Sequence, residues 1–367
     1  MRTPNYRLAG LALVSVLAGG PALAQDQASA TYGNTTVSIG GGTAILDLPD
    51  QQFIKIIPTF AIPGTVSGRF TTADDFSREI GWNVNGTITA PLGAHRWITA
   101  SGFWAQIDDK DNTTCTDSAG AACVVNALVS DPALLSFAGA VLVGESLFTT
   151  SEREVDQAGL SVEVKQLLAP GVSRQAHDAA YFGLGVDWRA IYQDTTLDMT
   201  RSVNTAFDLN YSEELNTNYY GIFAAYGGDY TPLLLSGFWN RLGLQSSFRV
   251  QGGIYYADTD YSGSLREASS PVVLNSDATD SSDDFAFIGR LTTETRKQLS
   301  ARATLSLKSE FEYYSFVPSI NYNDNINGGA LSGPNVGTTI DDEDAYAART
   351  SLSLTIKLGP ESLFRNE

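Results

Sequence analysis

Histidine, cysteine and methionine are each present only twice in this chain of 367 residues. Histidine is the side chain that most often acts as a general base, so a Ser–His or Asp–His catalytic site has only His95 and His177 to draw on. Neither histidine is close in sequence to the cysteine pair Cys115 and Cys123, which disfavours a metal site there. We therefore expect no enzyme, no metal and no cofactor.

Positive charge is also scarce, with 23 Lys and Arg residues against 41 Asp and Glu residues and a net charge of −18. Two of the positive charges, Arg2 and Arg7, lie in the first 24 residues, and without them the net charge is −20. Binding to nucleic acid depends on clustered Lys and Arg that neutralise phosphates. Nucleic acid is therefore not an expected partner.

Long apolar runs are missing after residue 24, because no later stretch reaches the ~18 residues that indicate a transmembrane helix. The first 24 residues place two arginines before an apolar run at 8–17 and end in Ala-Leu-Ala. This pattern is typical of a secretory signal peptide cleaved after Ala24. A membrane anchor is the alternative, but the run is too short to span a bilayer. We expect a signal peptide over 1–24 and one domain over 25–367.

What the chain has instead is alternation of apolar and polar residues. In 301–313, alanine, leucine and aromatic residues alternate with polar ones such as Arg302, Lys308 and Glu310, and 346–358 repeats the pattern. Each run is longer than the ~5–6 residues of a usual soluble strand and covers the ~9–11 residues with which a tilted strand crosses a bilayer. Each is therefore predicted to be a strand with one apolar face and one charged face.

Similar segments recur along the chain. Further strand candidates occupy 36–48, 53–61, 64–70, 79–90, 95–107, 158–165, 182–190, 217–226, 242–256 and 285–296. Compact turns alternate with long polar segments at 108–154, 194–216, 258–284 and 318–344. Transmembrane β-barrels have this asymmetry, with short periplasmic turns and long extracellular loops.

The segment 108–154 admits two interpretations. An apolar patch at 133–148 follows Asp131-Pro132, which favours a helix, whereas an additional strand pair is the alternative because short apolar runs separate the two poorly. Cys115 and Cys123 lie close together in a chain that we expect to be exported, where oxidation is permitted. We predict a loop disulfide between them.

Together these patterns predict an all-β fold, a single closed antiparallel transmembrane barrel. Open sheet edges cannot face lipid, and single-chain bacterial barrels have even strand numbers, so we expect about 12 strands within a range of roughly 10–14. Aromatic residues near the ends of the apolar faces, such as Trp82, Trp188, Tyr256 and Tyr346, match the girdles at lipid headgroups. A secreted sandwich or β-helix is the alternative fold.

The predicted chain resembles the Gram-negative outer-membrane β-barrels, porin-like channels included, over nearly all of 25–367. Its segment 239–244, Trp-Asn-Arg-Leu-Gly-Leu, is similar to major-outer-membrane-protein-like barrels. The resemblance implies a location in the bacterial outer membrane and contact with its lipid and lipopolysaccharide. It also implies insertion by the barrel-assembly machinery and passage of small polar solutes. The carboxyl terminus departs from the pattern, since such barrels often end in an aromatic residue and the last predicted strand ends at Leu358.

With the apolar faces outside, charges of both signs would line the lumen. The expected pore-lining residues are Asp187, Arg189, Arg249, Arg290, Glu294, Arg302, Lys308, Glu310, Glu312 and Arg349. Charged rings set selectivity in pores, so we expect a transverse field between one wall of Arg249, Arg290, Arg302 and Arg349 and another of Asp187, Glu294, Glu310 and Glu312. A barrel of about 12 strands lies between filled and open ones, which predicts a narrow or gated diffusion channel. A plugged lumen whose charges pair for structural reasons is the alternative.

Acidic stretches in the predicted loops, such as 341–344, would concentrate cations at the mouth of the barrel. No EF-hand calcium motif accompanies them. A structural or adhesive barrel that transports nothing fits these loops equally well. An enzymatic barrel fits less well, because both histidines are at compact turns and not in the long loops where such sites lie.

Overall fold

The computed structural model of the chain describes residues 35–48, 54–57, 79–93, 95–116, 122–125, 146–168, 180–202, 208–230, 239, 241–267, 276–322 and 338–358. Its strands are β1 (Thr35–Asp47), β2 (Ile54–Ile57), β3 (Glu79–Gly93), β4 (Arg96–Thr116), β5 (Ala122–Val125), β6 (Ser146–Leu167), β7 (Tyr181–Arg201), β8 (Leu209–Tyr230), β9 (Leu244–Glu267), β10 (Ser276–Gln298), β11 (Ala303–Tyr322) and β12 (Thr338–Leu358). Within these ranges no helix is long and apolar enough to cross a membrane.

Ten strands close into one antiparallel barrel in the order β1-β12-β11-β10-β9-β8-β7-β6-β4-β3. The first and last strands pair along the whole of β1, from Thr35 opposite Leu358 to Asp47 opposite Tyr346. The other edge of β1 is hydrogen-bonded to β3. The barrel therefore has no open edge, and every strand has a hydrogen-bonded neighbour on both sides, as a sheet facing lipid requires.

The expectation of about 12 barrel strands is wrong, because the barrel has ten, at the lower limit of the expected range. The candidate at 36–48 is β1, but the candidate at 53–61 contributes only β2, which pairs with β5 in a separate two-stranded sheet. The candidate at 64–70 lies outside the described residues. Direct pairing of β1 with β3 leaves no position for a further strand between them.

Most barrel strands are longer than the alternation predicted. β4 and β6 to β12 have 20 to 24 residues each. Within the predicted loop at 194–216, residues 194–201 and 209–216 are strand, and within the one at 258–284, residues 258–267 and 276–284 are strand. The strands here have polar residues on their outer faces, so the apolar alternation that marks a strand is absent. Of the predicted helical patch at 133–148, residues 133–145 lie outside the described residues, and 146–148 are the first residues of β6.

Both termini of the barrel sequence lie at one end, which we call the turn end, because tight turns there join β3 to β4 and β10 to β11. We call the opposite end the far end. Two glycines at the turn end have positive φ, Gly93 at 151° and Gly243 at 64°. A side chain is disfavoured in the left-handed conformation of Gly243, so glycine fits the entry to β9.

An apolar belt surrounds the outside of the barrel. The edge of the belt nearer the far end includes a row of outward aromatic residues, which we call the upper aromatic row. Its members are register partners on four adjacent strands, Trp188, Tyr220, Tyr256 and Phe285. Nearer the turn end, the rings of Tyr226 and Phe248 pack 5.9 Å apart. Along β7 the outward residues from Phe182 to Tyr192 cover about ten residues, roughly 33 Å, or roughly 25 Å of height at the usual strand tilt. That is the height of an outer-membrane apolar band.

Inward side chains fill the barrel towards the far end. Their buried apolar cluster, which we call the apolar core, consists of Ala44, Leu46, Leu48, Ala105, Ile107, Val155, Ile191, Tyr219, Tyr255, Ala257, Ala286, Ile288, Tyr314, Phe316, Val317, Ala345 and Ala347. None of these is more than 7% exposed. At this level the described strands enclose a packed core, as small barrels do, and not an aqueous pore.

Candidate functional site

Below the apolar core, the barrel interior is charged, and Glu312 of β11 lies at the centre of these charges. Its Oε1 atom accepts hydrogen bonds from Arg189 Nη1 at 2.9 Å and from Arg290 Nε at 2.6 Å, and it lies 2.8 Å from Arg349 Nη2. Its Oε2 atom accepts from Tyr314 Oη at 3.1 Å. One fully buried carboxylate therefore serves three guanidinium groups.

Asp187 of β7 is the second acid in this cluster. Its Oδ2 atom accepts from Arg189 Nε at 2.9 Å, from Tyr255 Oη at 2.9 Å and from Arg290 Nη2 at 3.5 Å. We call Asp187, Arg189, Arg290, Glu312 and Arg349 the central network. Three cations and two anions, each at most 8% exposed, hold one another in place. Buried charges persist in this way only when paired and hydrogen-bonded.

The central network crosses the lumen. Arg189 is on β7 and Glu312 on β11, with three strands between them in the barrel order. From another direction, Gln157 of β6 donates to Tyr314 Oη at 2.8 Å and accepts from Arg349 Nη1 of β12 at 2.8 Å. Side chains from well-separated strands thus meet directly, and at this level the barrel is closed.

An aromatic ring completes the cluster. The guanidinium carbons of Arg349 and Arg189 lie 3.7 and 4.8 Å from the centroid of the Phe103 ring. A Cβ atom on Gly159 would lie 2.4 Å from Cε1 of Phe103 and 2.9 Å from Cδ of Arg189. Glycine at that position therefore allows the ring and the guanidinium to stack, an arrangement that stabilises a desolvated cation.

Nearer the turn end, a second charged group lies in a less enclosed part of the lumen that we call the vestibule. Its members are Glu163, Lys165, Arg249, Glu294, Arg296, Lys308 and Glu310. Glu163 Oε2 lies 3.0 Å from Arg249 Nη2 and 3.7 Å from Lys165 Nζ. Lys308 Nζ lies 3.0 Å from Glu310 Oε2. The side chains of Lys308 and Arg296 are 27% and 39% exposed, so water reaches the vestibule but not the central network.

Nine of the ten predicted pore-lining residues face the interior, but not as two walls. The cations and anions alternate and pair directly, so the expected transverse field between an arginine wall and an acidic wall is wrong. Arg302 is the exception, because it precedes β11 in an exposed turn where its carbonyl accepts from the Lys357 amide. Whether any of these residues lines a conducting pore stays a prediction.

Sequence reasoning missed the neutral members of the cluster, Gln157, Phe103 and Tyr314. Gln157 is six residues before Glu163 and so points to the same side of β6, but the predicted strand began one residue after it. Tyr314 likewise follows the end of its predicted strand by one residue. Extending the period-two pattern by one position would have found both.

The outside of the barrel beyond the upper aromatic row is acidic. Outward acids in this part, which we call the upper barrel, include Asp108, Glu152, Glu154, Asp156, Asp194, Asp198, Glu214, Asp258, Asp260, Asp283 and Asp344. Partial burial raises the pKa of Asp194 to about 6, with further contributions from the carboxylates of Glu214, Glu154 and Asp156. Across the described residues, no group of three or more His, Cys, Asp or Glu side chains is placed to hold a metal ion.

The remaining predicted residues lie elsewhere. The backbone of Cys115 is in β4 and that of Cys123 in β5, but their side chains lie outside the description, so the disulfide stays a prediction. His95 is at the turn end, where its carbonyl accepts from the Leu167 amide at 2.9 Å. His177 and the predicted signal peptide lie outside the described residues.

No protein-family model and no curated protein matches the chain. Among solved structures, it is similar to the outer membrane protease OmpT from Escherichia coli, with 14% identity, coverage of 89% of this chain and 98% of that one, and a TM-score of 0.38. It is also similar to the translocator domain of the autotransporter NalP from Neisseria meningitidis, with 10% identity, coverage of 95% of this chain and 94% of that one, and a TM-score of 0.34. A FadL homologue from Pseudomonas aeruginosa has 9% identity, with coverage of 89% of this chain and 91% of that one and a TM-score of 0.21. Likenesses this weak carry no argument about function.

The geometry of the chain itself decides the class. Its sheet is closed and antiparallel, with an apolar belt of membrane height outside and charged side chains inside. The protein is a bacterial outer-membrane β-barrel, as the sequence predicted. The charged interior is therefore surrounded by lipid on all sides and is reached only through the ends of the barrel.

Proposed function

We propose that the protein is a sealed outer-membrane barrel that does not conduct in this state and has a structural or adhesive role. The observation that carries the proposal is the direct pairing of Arg189 with Glu312 across the lumen, beneath the apolar core. A solute moving through the barrel would have to displace both this ion pair and the apolar core. The cost of separating buried charges from their partners is several kcal/mol.

The upper barrel supports a role at the cell surface. Strands such as β6 and β9 continue for about ten residues beyond the belt, more than a membrane span requires. Inside, this part is packed with buried side chains, apolar ones such as Leu197 and polar ones such as Gln193, and outside it has acidic ones. A rigid, negatively charged surface that projects beyond the lipid suits contact with cationic partners better than solute passage.

The test is electrical. The refolded protein is inserted into planar lipid bilayers, and single-channel current is recorded across a salt gradient, with heat-modifiable gel mobility to verify folding. A sealed barrel gives no unitary current steps. Reproducible steps from folded wild-type protein would overturn the proposal.

The second candidate is the narrow or gated channel for small charged or polar solutes that the sequence predicted. The hydrated vestibule favours it, because its charges lead from the turn end to the central network. Opening would require Arg189 to leave Glu312 and the apolar core to move aside. If the network is a gate, the folded Arg189→Gln variant shows current steps that wild type lacks. A folded but silent variant would exclude the network as the gate.

Proteolysis, the activity in the name of OmpT, is not proposed for this chain. The one described histidine, His95, is at the turn end, and the acidic residues of the upper barrel are beyond the opposite edge of the belt. A proteolytic site of the Asp–His type would need a histidine positioned beside those acids as its general base. We expect the folded protein to cleave a fluorogenic peptide library no faster than buffer does, and turnover above that background would contradict this.

A further inference from the structure

The vestibule has more basic than acidic groups. Its four cations, Lys165, Arg249, Arg296 and Lys308, face only three carboxylates. Lys165 is close enough to the other three cations to interact electrostatically with all of them, so they form one group. Lys165 and Arg249 also share a single oxygen of Glu163. The basic side chains are thus not fully neutralised by their own partners.

At the level of the vestibule, the inner faces of β12, β3 and β4 have short polar side chains such as Ser353, Asn85 and Thr99. Ser353 donates to Asn85 at 3.4 Å, and the hydroxyls of Thr89 and Thr99 lie 3.2 Å apart. Ser351 is a further small hydroxyl on β12. Short side chains on this wall reach less far into the lumen than the long basic ones of the other wall, and their hydroxyl and amide groups can donate hydrogen bonds.

This combination suits an oxyanion. Guanidinium groups bind phosphate oxygens in pairs and lysine binds them as a point charge, and both bonds are stronger than neutral ones. Arg296 and Lys308 are partly exposed, so a solute from the turn end can reach them. The acidic far end, by contrast, would repel an anion.

We infer that the vestibule is a binding site for a small soluble oxyanion of the phosphate class, which enters from the turn end. The anion lies between the basic wall of β6, β9, β10 and β11 and the hydroxyl wall of β12, β3 and β4. The site exists whether or not the barrel ever conducts, because it lies on the turn-end side of the central network.

The test is isothermal titration of the folded, full-length barrel in uncharged detergent with inorganic phosphate, at constant ionic strength, against a sodium chloride reference. Wild type is expected to give saturable heat with phosphate and none with chloride. The double variant Arg296→Gln with Lys308→Gln removes two cations that are themselves partly exposed and lie outside the central network, so the barrel should fold. It is expected to weaken phosphate binding by at least about tenfold, the scale of one lost charge-assisted hydrogen bond.

Lys110→Gln is the matched control, because it removes a cation from an exposed pair with Glu152 on the outside of the upper barrel. It is expected to bind phosphate as wild type does. Absence of saturable heat in wild type overturns the inference. So does equal binding by the double variant, or equal weakening by the control, which would show attraction to overall charge and not to the vestibule. Gel mobility confirms that each variant is folded.

Discussion

Replacing Glu312 by glutamine is the sharpest test of the sealed interior. The change preserves size and one acceptor oxygen but removes the negative charge that three guanidinium groups share at 2.6 to 2.9 Å. Arg189, Arg290 and Arg349 would then have only Asp187 as a counter-charge within the central network. Removing one partner of a buried ion pair costs about 3–5 kcal/mol. We expect Glu312→Gln to lower the free energy of unfolding by about that amount.

The measurement is urea-induced unfolding in lipid vesicles, followed by tryptophan fluorescence, with the free energy extrapolated to zero denaturant. Glu152→Gln is the matched control, because Glu152 pairs with Lys110 at 3.2 Å while both side chains are more than half exposed. Exposed pairs contribute about 0–1 kcal/mol. If the two variants lose equal stability, water has access to the central network, and the sealed barrel is refuted.

Three further substitutions test separate parts of the barrel. Phe103→Leu keeps an apolar side chain but loses the ring 3.7 Å from the Arg349 guanidinium, so we expect a loss of about 1–2 kcal/mol by the same urea assay, and no loss would show that the stacking is incidental. Gly42→Val places a Cβ atom where it would lie 1.9 Å from the Thr350 carbonyl oxygen, so β1 should not pair with β12 to close the barrel. The heat-resistant gel band should then disappear, and a normal band would contradict the register of these two strands. The raised pKa of Asp194 means that the folded protein loses stability as pH rises from about 4 through about 6. Asp194→Asn should therefore raise the melting temperature at pH 8 and leave it almost unchanged at pH 4. An equal shift at both pH values would contradict this.

The strands that contact lipid were predictable from the sequence, because lipid imposes alternation on them. Runs such as 182–190 and 346–358 have apolar residues on every second position except Thr350, and the structure places those residues outside. The upper barrel was not predictable by the same rule. Its outward face meets water and its inward face mixes Thr195, Leu197 and Gln193, so no single period of hydrophobicity marks it as strand.

The candidate site was predictable in membership but not in arrangement. Alternation places Asp187 and Glu312 on the inner face, since each strand decides that locally. It does not say that Arg189 reaches Glu312 across three intervening strands. Which charges meet across a lumen depends on barrel circumference and strand stagger, and these follow from strand number. An expectation of about 12 strands therefore also suggested a wider interior than ten strands provide.

The seam between β1 and β12 has a consequence for how the barrel forms. Thr35 and Leu358, near opposite ends of the chain, are register partners, so these contacts have almost the largest sequence separation that this chain permits. Contacts of that kind form slowly, because the entropy of bringing distant segments together is lost before any pairing energy is gained. Until β12 has arrived, the inward charges have no enclosed interior in which to pair. The pairing of β12 with β1, and not of any earlier two strands, is therefore the step that encloses the charged interior.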